Sequence, residues 1–188
     1  MDELQTALAE LHNSNPDIRE SALDKIGTLK PKNAWEIIVS FLSDTNAEVR
    51  GTAACNLGEI DDIRTVPYLI ELARHDPKES VRSEALSALE NYRSPEILQC
   101  LIDEVYRQKR SRRPRQIVVQ QLQHYDDKKA VDALIILLSK DEDVYVRIFV
   151  LDSLLALNRP RLREVWQEVL NDESTYVIEI ADQAICQL

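Results

Sequence analysis

The residues of this sequence whose side chains could do chemistry are few and scattered. His12, His75 and His124 lie far apart, with no i, i+4 pair and no His-Glu-x-x-His. A metal site needs converging ligands, so no metal is expected. Cys55, Cys100 and Cys186 stand without motif spacing. Nothing beside them would stabilise a thiolate, and an odd count without spacing fits reduced thiols of a cytoplasmic protein better than a disulfide framework. Asp61-Asp62 and Asp126-Asp127 resemble the paired carboxylates of acid–base catalysis, but they recur at matching places and read as helix caps. Gly-x-Ser-x-Gly is absent, and three glycines leave no room for a phosphate-cradling loop. These residues predict no catalytic group and no cofactor.

The elements that must position any site are set by composition and period. The chain has 188 residues, 33 acidic and 23 basic side chains and a formal charge of −10, with 44% hydrophobic residues. That apolar fraction suffices for a folded chain. No apolar run approaches the roughly 18 residues of a membrane span. The start, MDELQTALAE, is acidic and amphipathic, unlike a signal or transit peptide. Rossmann and P-loop enzymes and disulfide-rich secreted mini-proteins are excluded on composition.

Arg19, Arg50, Arg82, Arg115 and Arg147 recur every 31 to 33 residues, and Ile178 fills a sixth slot. Three residues after each slot stand Ala22, Ala53, Ala85, Val118, Val150 and Ala181; seven after stand Ile26, Leu57, Leu89, Leu122, Leu154 and Ile185. These offsets, continued at ten, trace one stripe on an α-helix. A second apolar segment, such as VPYLIELA or AVDALIILL, precedes each slot. Asn15, Asn46, Ser111, Asp143 and Ser174 stand four residues before their slots as N-cap residues. In the third repeat, where Lys78 takes that place, Asp76-Pro77 is the expected alternative start. The prediction is an all-α protein, an α-solenoid of about six helix-turn-helix repeats filling residues 1–188 as a single domain.

Six residues before the slots come Asn13, Asp44, Asp76, Lys109, Asp141 and Asp172. An arginine in the first turn of a helix opposes the macrodipole and needs an acceptor. The recurring aspartates supply it, so Arg19, Arg50, Arg82, Arg115 and Arg147 with Asp44, Asp76 and Asp141 are expected to form a ladder along the stacked repeats. This is architecture, not a site.

The motif can be compared with known repeats. LGEIDDIRTVPYLIELARHDPKESVRSEALSALENY (57–92) and YDDKKAVDALIILLSKDEDVYVRIFVLDSLLAL (125–157) resemble the HEAT-like repeats of the phycobilisome (bilin) lyases. The shared features are an acidic turn, an Ala-Val or Val-Pro start to the first helix, an Asp-rich turn and Val-Arg opening the second. The resemblance covers essentially the whole chain. It implies a HEAT-like fold and, as one activity, attachment or removal of a linear tetrapyrrole on a phycobiliprotein by paired solenoid subunits. Arg112 or Arg113 would then meet bilin propionates, with Tyr106, Tyr125 and Phe149 flanking the rings. The same repeat also occurs in unassigned scaffolds, and a fold does not fix a function.

The repeat breaks in two places. In the fourth unit the acidic turn becomes RQKRSRRPR, so Arg107, Lys109, Arg110, Arg112, Arg113 and Arg115 put six cations in nine residues. One reading is a solvated turn that neutralises acidic neighbours. The other is a docking patch for an anionic partner, carried by Arg107, Lys109, Arg110, Arg112 and Arg113. Nucleic acid is not expected, because the remaining surface is acidic. The second break lies in the late repeats. Two residues after the slot, Ser21, Thr52 and Glu84 give way to Ile117, Phe149 and Ile180; two before it, Asp17, Glu48 and Ser80 give way to Arg113, Tyr145 and Tyr176. With Ile148, the residues Tyr145, Phe149, Tyr176 and Ile180 form either tighter packing between late repeats or a protein interface for a homo- or hetero-oligomer. The expected function is a non-catalytic interaction scaffold, with the bilin lyase subunit as the alternative.

Overall fold

The computed structural model describes residues 2–107, 112–157 and 163–187. Among them there is no strand, and twelve α-helices follow one another. They are α1 (Glu3–Glu10), α2 (Pro16–Leu29), α3 (Ala34–Val39), α4 (Ala47–Ile60), α5 (Val66–His75), α6 (Glu79–Ala88), α7 (Pro95–Val105), α8 (Arg112–Leu122), α9 (Lys128–Lys140), α10 (Val144–Leu157), α11 (Arg163–Val169) and α12 (Thr175–Gln187). Short 3-10 turns at Ser40–Ser43 and Ile63–Thr65 follow α3 and precede α5. The odd-numbered helices are the first members of six pairs, and the even-numbered ones carry the arginine slots. This is the α-solenoid class that the period predicts.

The chain divides into two compact units, Met1–Cys100 and Leu101–Leu188, with the division inside α7. In unit 1, α2 packs on α4 and α4 on α6, while α1 covers α2 and α5 covers α6. In unit 2, α10 packs against α8, α9 and α12, and α11 against α12. Residues three, four and seven after each slot arginine form the buried stripe: Ala22, Leu23 and Ile26; Ala53, Ala54 and Leu57; Ala85, Leu86 and Leu89; Val118, Val119 and Leu122; Val150, Leu151 and Leu154. Each buried Leu or Ile contributes roughly 1.5–3 kcal/mol of transfer free energy. The tenth position is less regular, for Leu29 is 40% exposed while Tyr125 is buried.

The turns within the pairs repeat in atomic detail. The side chains of Asn13, Asp44, Asp76, Asp141 and Asp172 each accept a hydrogen bond from the backbone N–H two residues on, at 2.8–2.9 Å. This local ring is the turn that aspartate and asparagine favour. Asn15 and Asn46 then cap α2 and α4, and the Asp143 carboxylate accepts the Tyr145 N–H at 3.0 Å. The third repeat differs from the expected start at Asp76-Pro77: Lys78 is the N-cap of α6 and its side chain makes no cap bond. Asp76 shapes the turn there instead of capping the helix.

All three glycines lie inside helices, and at Gly27 and Gly58 it is small size rather than turn geometry that is used. A Cβ on Gly58 would sit 2.9 Å from the Cα of Ala88, and one on Gly27 would sit 1.8 Å from Asn56 Oδ1. These contacts let α2, α4 and α6 approach closely. Among the described residues, Lys30 (φ 43°) and Asp61 (φ 55°) are left-handed, each ending a helix where glycine is the usual choice.

Candidate functional site

The slot arginines face the aspartates of the following repeat. In unit 1, Arg19 holds Asp44 through Nε and Nη2 at 2.8 and 2.7 Å, and Arg50 holds Asp76 at 2.6 and 3.0 Å. In unit 2, Arg115 pairs with Asp141 and Arg147 with Asp172. A second contact recurs. Nη1 of Arg19, Arg50, Arg82 and Arg147 donates to the carbonyl of Asn13, Asp44, Asp76 and Asp141 in its own repeat. Arg19, Arg50 and Arg147 therefore each tie a carbonyl in the turn before their own helix to the turn of the next pair. The Arg19 hydrogen bond holds the Asp44 carboxyl below the usual carboxylate range, and the Asp76 hydrogen bond raises Arg50.

The basic segment is less cationic than its sequence. Lys109 and Arg110 lie outside the described residues. Arg115 is 9% exposed and spent on the ladder. Arg107 donates from Nε to Glu104, a carboxylate only 2% exposed, at 2.6 Å. Arg112 donates from Nε to Asp143 at 2.6 Å, and its guanidinium carbon lies 4.5 Å from the Tyr145 ring centroid. Arg113 is exposed. Burial works against the Asp143 charge, but the Arg112 hydrogen bond, the Tyr145 N–H and the charges of Arg112 and Arg115 outweigh it, and the group titrates below its ordinary value. Half of the expected turn is helix, since α8 begins at Arg112.

The late apolar row separates into two kinds of residue. Tyr145, Phe149 and Tyr176 are exposed by 55%, 44% and 56%. Ile117, Ile148 and Ile180 are half-buried. Register relates two of the isoleucines, although Phe149 shares with Ile180 the place two after the slot. In unit 1, Thr52, two after its slot, donates to Glu20, one after the preceding slot, at 2.8 Å. Ile180 and Ile148 occupy those same two positions in the last two repeats, so the place of a polar contact passes to two apolar side chains. The aromatics at i and i+4 of α10, with Tyr176 at the matching place on α12, remain outside.

Other residues with chemical promise are not gathered. His12, His75 and His124 are all exposed, and among the described residues no group of His, Cys, Asp or Glu could hold a metal. Cys55 is exposed and Cys100 buried. Cys55 lines a cleft of about 280 Å³ in unit 1 with Glu59, Glu84 and Glu90, and neither a histidine nor a cation stands in that wall. Asp62 caps the 3-10 turn and pairs with Arg64, whose hydrogen bond lowers it to about 2; Asp127 caps α9. Trp166 is buried and Trp35 lies under Arg64 at 4.5 Å. The Arg112–Asp143–Tyr145 group joins two repeats: Arg112 stands three residues before the fourth slot, and Asp143 and Tyr145 stand four and two residues before the fifth.

Residues 4–90 match the family model for HEAT repeats. No curated protein matches the sequence. Among solved structures, the complex of CpcE and CpcF of phycocyanin lyase from Nostoc sp. PCC7120 is similar at 20% identity and a TM-score of 0.65, over 95% of this chain and 74% of that one. Human deoxyhypusine hydroxylase is similar at 18% identity and a TM-score of 0.53, over 97% and 83%. An engineered protein is similar at 20% identity and a TM-score of 0.67, over 98% of both chains. A lyase, a hydroxylase and an engineered protein share this architecture, so the likeness speaks for fold alone. HEAT repeats are matched in the first half of the chain, and six helix pairs on one period give it the fold of an α-solenoid.

Proposed function

We propose that this protein is a non-catalytic interaction scaffold that docks a protein partner on the even-helix face of unit 2. The observation that carries it is the row Tyr145, Phe149 and Tyr176, three large exposed aromatics at register positions that are polar in unit 1. Aromatic side chains bring large contact area at small entropic cost and are enriched at interface centres. Repeat proteins present such surfaces without an active site, and no helix among the described residues is long and apolar enough to cross a membrane. The neighbouring cations at Arg112 and Arg113 support an anionic element in the partner; Arg107, Lys109 and Arg110 extend that charge in the sequence.

Affinity capture from the source organism, run with wild type and with Phe149→Asp/Tyr176→Asp, tests this. A partner retained by wild type and lost by the double variant is expected. Equal recovery by both removes the interface. Light scattering at high concentration separates self-association from a foreign partner, since a monomer leaves only the latter.

A second reading, a bilin lyase or lyase-like subunit, draws support from Arg112 lying over Tyr145, a cation on an aromatic ring beside Phe149. Propionates and a tetrapyrrole plane suit that pair chemically. Mixing the protein with phycocyanobilin, with and without an apo-phycobiliprotein, should then give a red-shifted, stronger absorption band. An unchanged spectrum in both mixtures leaves the scaffold.

A further inference from the structure

We propose that Arg112 and Tyr145 form a recognition corner for a carboxylate carried by an acidic amphipathic helix of a protein partner, whose apolar side chains lie on Tyr145, Phe149 and Tyr176. This rests on the scaffold reading and adds the chemistry of the partner.

Arg112 is held on two sides. Its Nε edge is bonded to Asp143 and its plane lies over the Tyr145 ring. Among the described residues, neither Nη has an acceptor, and the side chain is 49% exposed. What remains is a planar fork with its orientation already fixed, which suits bidentate capture of a carboxylate. A pre-ordered arginine loses less rotamer freedom on binding than a waving one.

The surface beside the fork selects a helix. Tyr145 and Phe149 are one helical turn apart on α10, and Tyr176 repeats the position on α12. Anchors at i, i+3 or i+4 and i+7 of an amphipathic helix match such a row. The charge along the row is polarised. Arg112 and Arg113 stand at the start of α8, whereas Asp152 is exposed on α10 one turn past Phe149. A partner with carboxylates at one end of its apolar stripe is complementary. A uniform polyanion is not, because unit 2 as a whole carries 15 acidic against 13 basic side chains, and nucleic-acid affinity depends on sustained phosphate neutralisation.

The test uses the full chain and a fluorescein-labelled synthetic helix of roughly 18 residues, about five turns. It carries a Leu stripe at i, i+3, i+4 and i+7 with Glu at one end; a second peptide has Gln for Glu. Anisotropy at physiological salt should show the Glu peptide binding about tenfold tighter, as one charge-assisted fork predicts. Arg112→Gln should abolish the preference and leave the weaker affinity. Arg112→Lys should restore only part of it, and Tyr145→Leu should reduce it with the charge intact. Circular dichroism of each variant checks that the helices persist. Equal binding of both peptides, a preference that survives Arg112→Gln, or tighter binding of a labelled oligonucleotide would overturn the proposal. So would no binding of either peptide to wild type. Partner capture that still depends on Phe149 and Tyr176 would then leave the scaffold standing without this corner.

Discussion

Arg50 grips two turns at once: its Nε lies 2.6 Å from Asp76 Oδ2 in the next repeat, and its Nη1 donates to the Asp44 carbonyl of its own at 2.8 Å. Asp76 in turn accepts the Lys78 N–H. One carboxylate therefore shapes its own turn and receives the preceding arginine. The pair is largely buried, at 11% and 3% side-chain exposure, so removing one partner strands the other. Arg50→Ala should cost about 3 kcal/mol. Urea unfolding of Arg50→Ala, Asp76→Asn and the double variant checks it, with the double variant costing less than the sum of the singles.

Acid should weaken the fold through the same groups. Asp44, bonded by Arg19, and Asp143, where Arg112, the Tyr145 N–H and two arginine charges overcome burial, both titrate lower folded than unfolded. The sign follows: their contribution is complete above the unfolded value of about 3.9 and is lost as pH falls through the lower folded values. Urea midpoints should be flat from about pH 7 to about pH 5 and drop below about pH 4. Asp44→Asn should lower the plateau and flatten the drop.

The glycines separate by sign. At Gly58 a methyl would meet the Ala88 backbone at 2.9 Å, whereas at Gly51 the nearest atom is Glu84 Cγ at 3.7 Å, an ordinary contact. Alanine gains up to about 1 kcal/mol over glycine inside a helix, and overpacking costs about 1–3 kcal/mol. Gly51→Ala should therefore raise the melting temperature and Gly58→Ala lower it. A rise in both would show that α4 and α6 have room to part.

Exposure decides the aromatic substitutions. Trp166 is 1% exposed, and Trp166→Ala should cost about 3–5 kcal/mol. Phe149→Ser and Tyr176→Ser should stay within about 0.5 kcal/mol of wild type, because those rings face outward. Thermal melts distinguish the two classes. A large loss at Phe149 would mean that this ring packs within the chain.

Much of the fold was legible because a repeat states its register several times over. Six slots with apolar residues at fixed offsets specify helix, pairing and turn together, and the recurring Asp was readable as an arginine acceptor, its carboxylate taking the arginine of the preceding repeat and its carbonyl the one six residues on. The four-after position, Leu23, Ala54, Leu86, Val119 and Leu151, is as buried as its neighbours, but a stripe of two adjacent columns looks like one in a sequence. Arg112 was legible as a cation but not as a cation seated on Tyr145 and held by Asp143, since those contacts bridge 33 and 31 residues.

The sequence by itself determined an all-α repeat protein, the places of its turns and the location of its two irregular surfaces, because period and local hydrogen bonding depend on near neighbours along the chain. Tertiary structure decided which arginines are committed and which rings stay outside. A charge counts for its surroundings only when its partners are known, and those partners come from the adjacent repeat. The row of late apolar residues divides on the same ground: Phe149 and Ile180 share the place two after a slot, yet Phe149 is exposed and Ile180 half-buried, a difference set by tertiary neighbours and not by register.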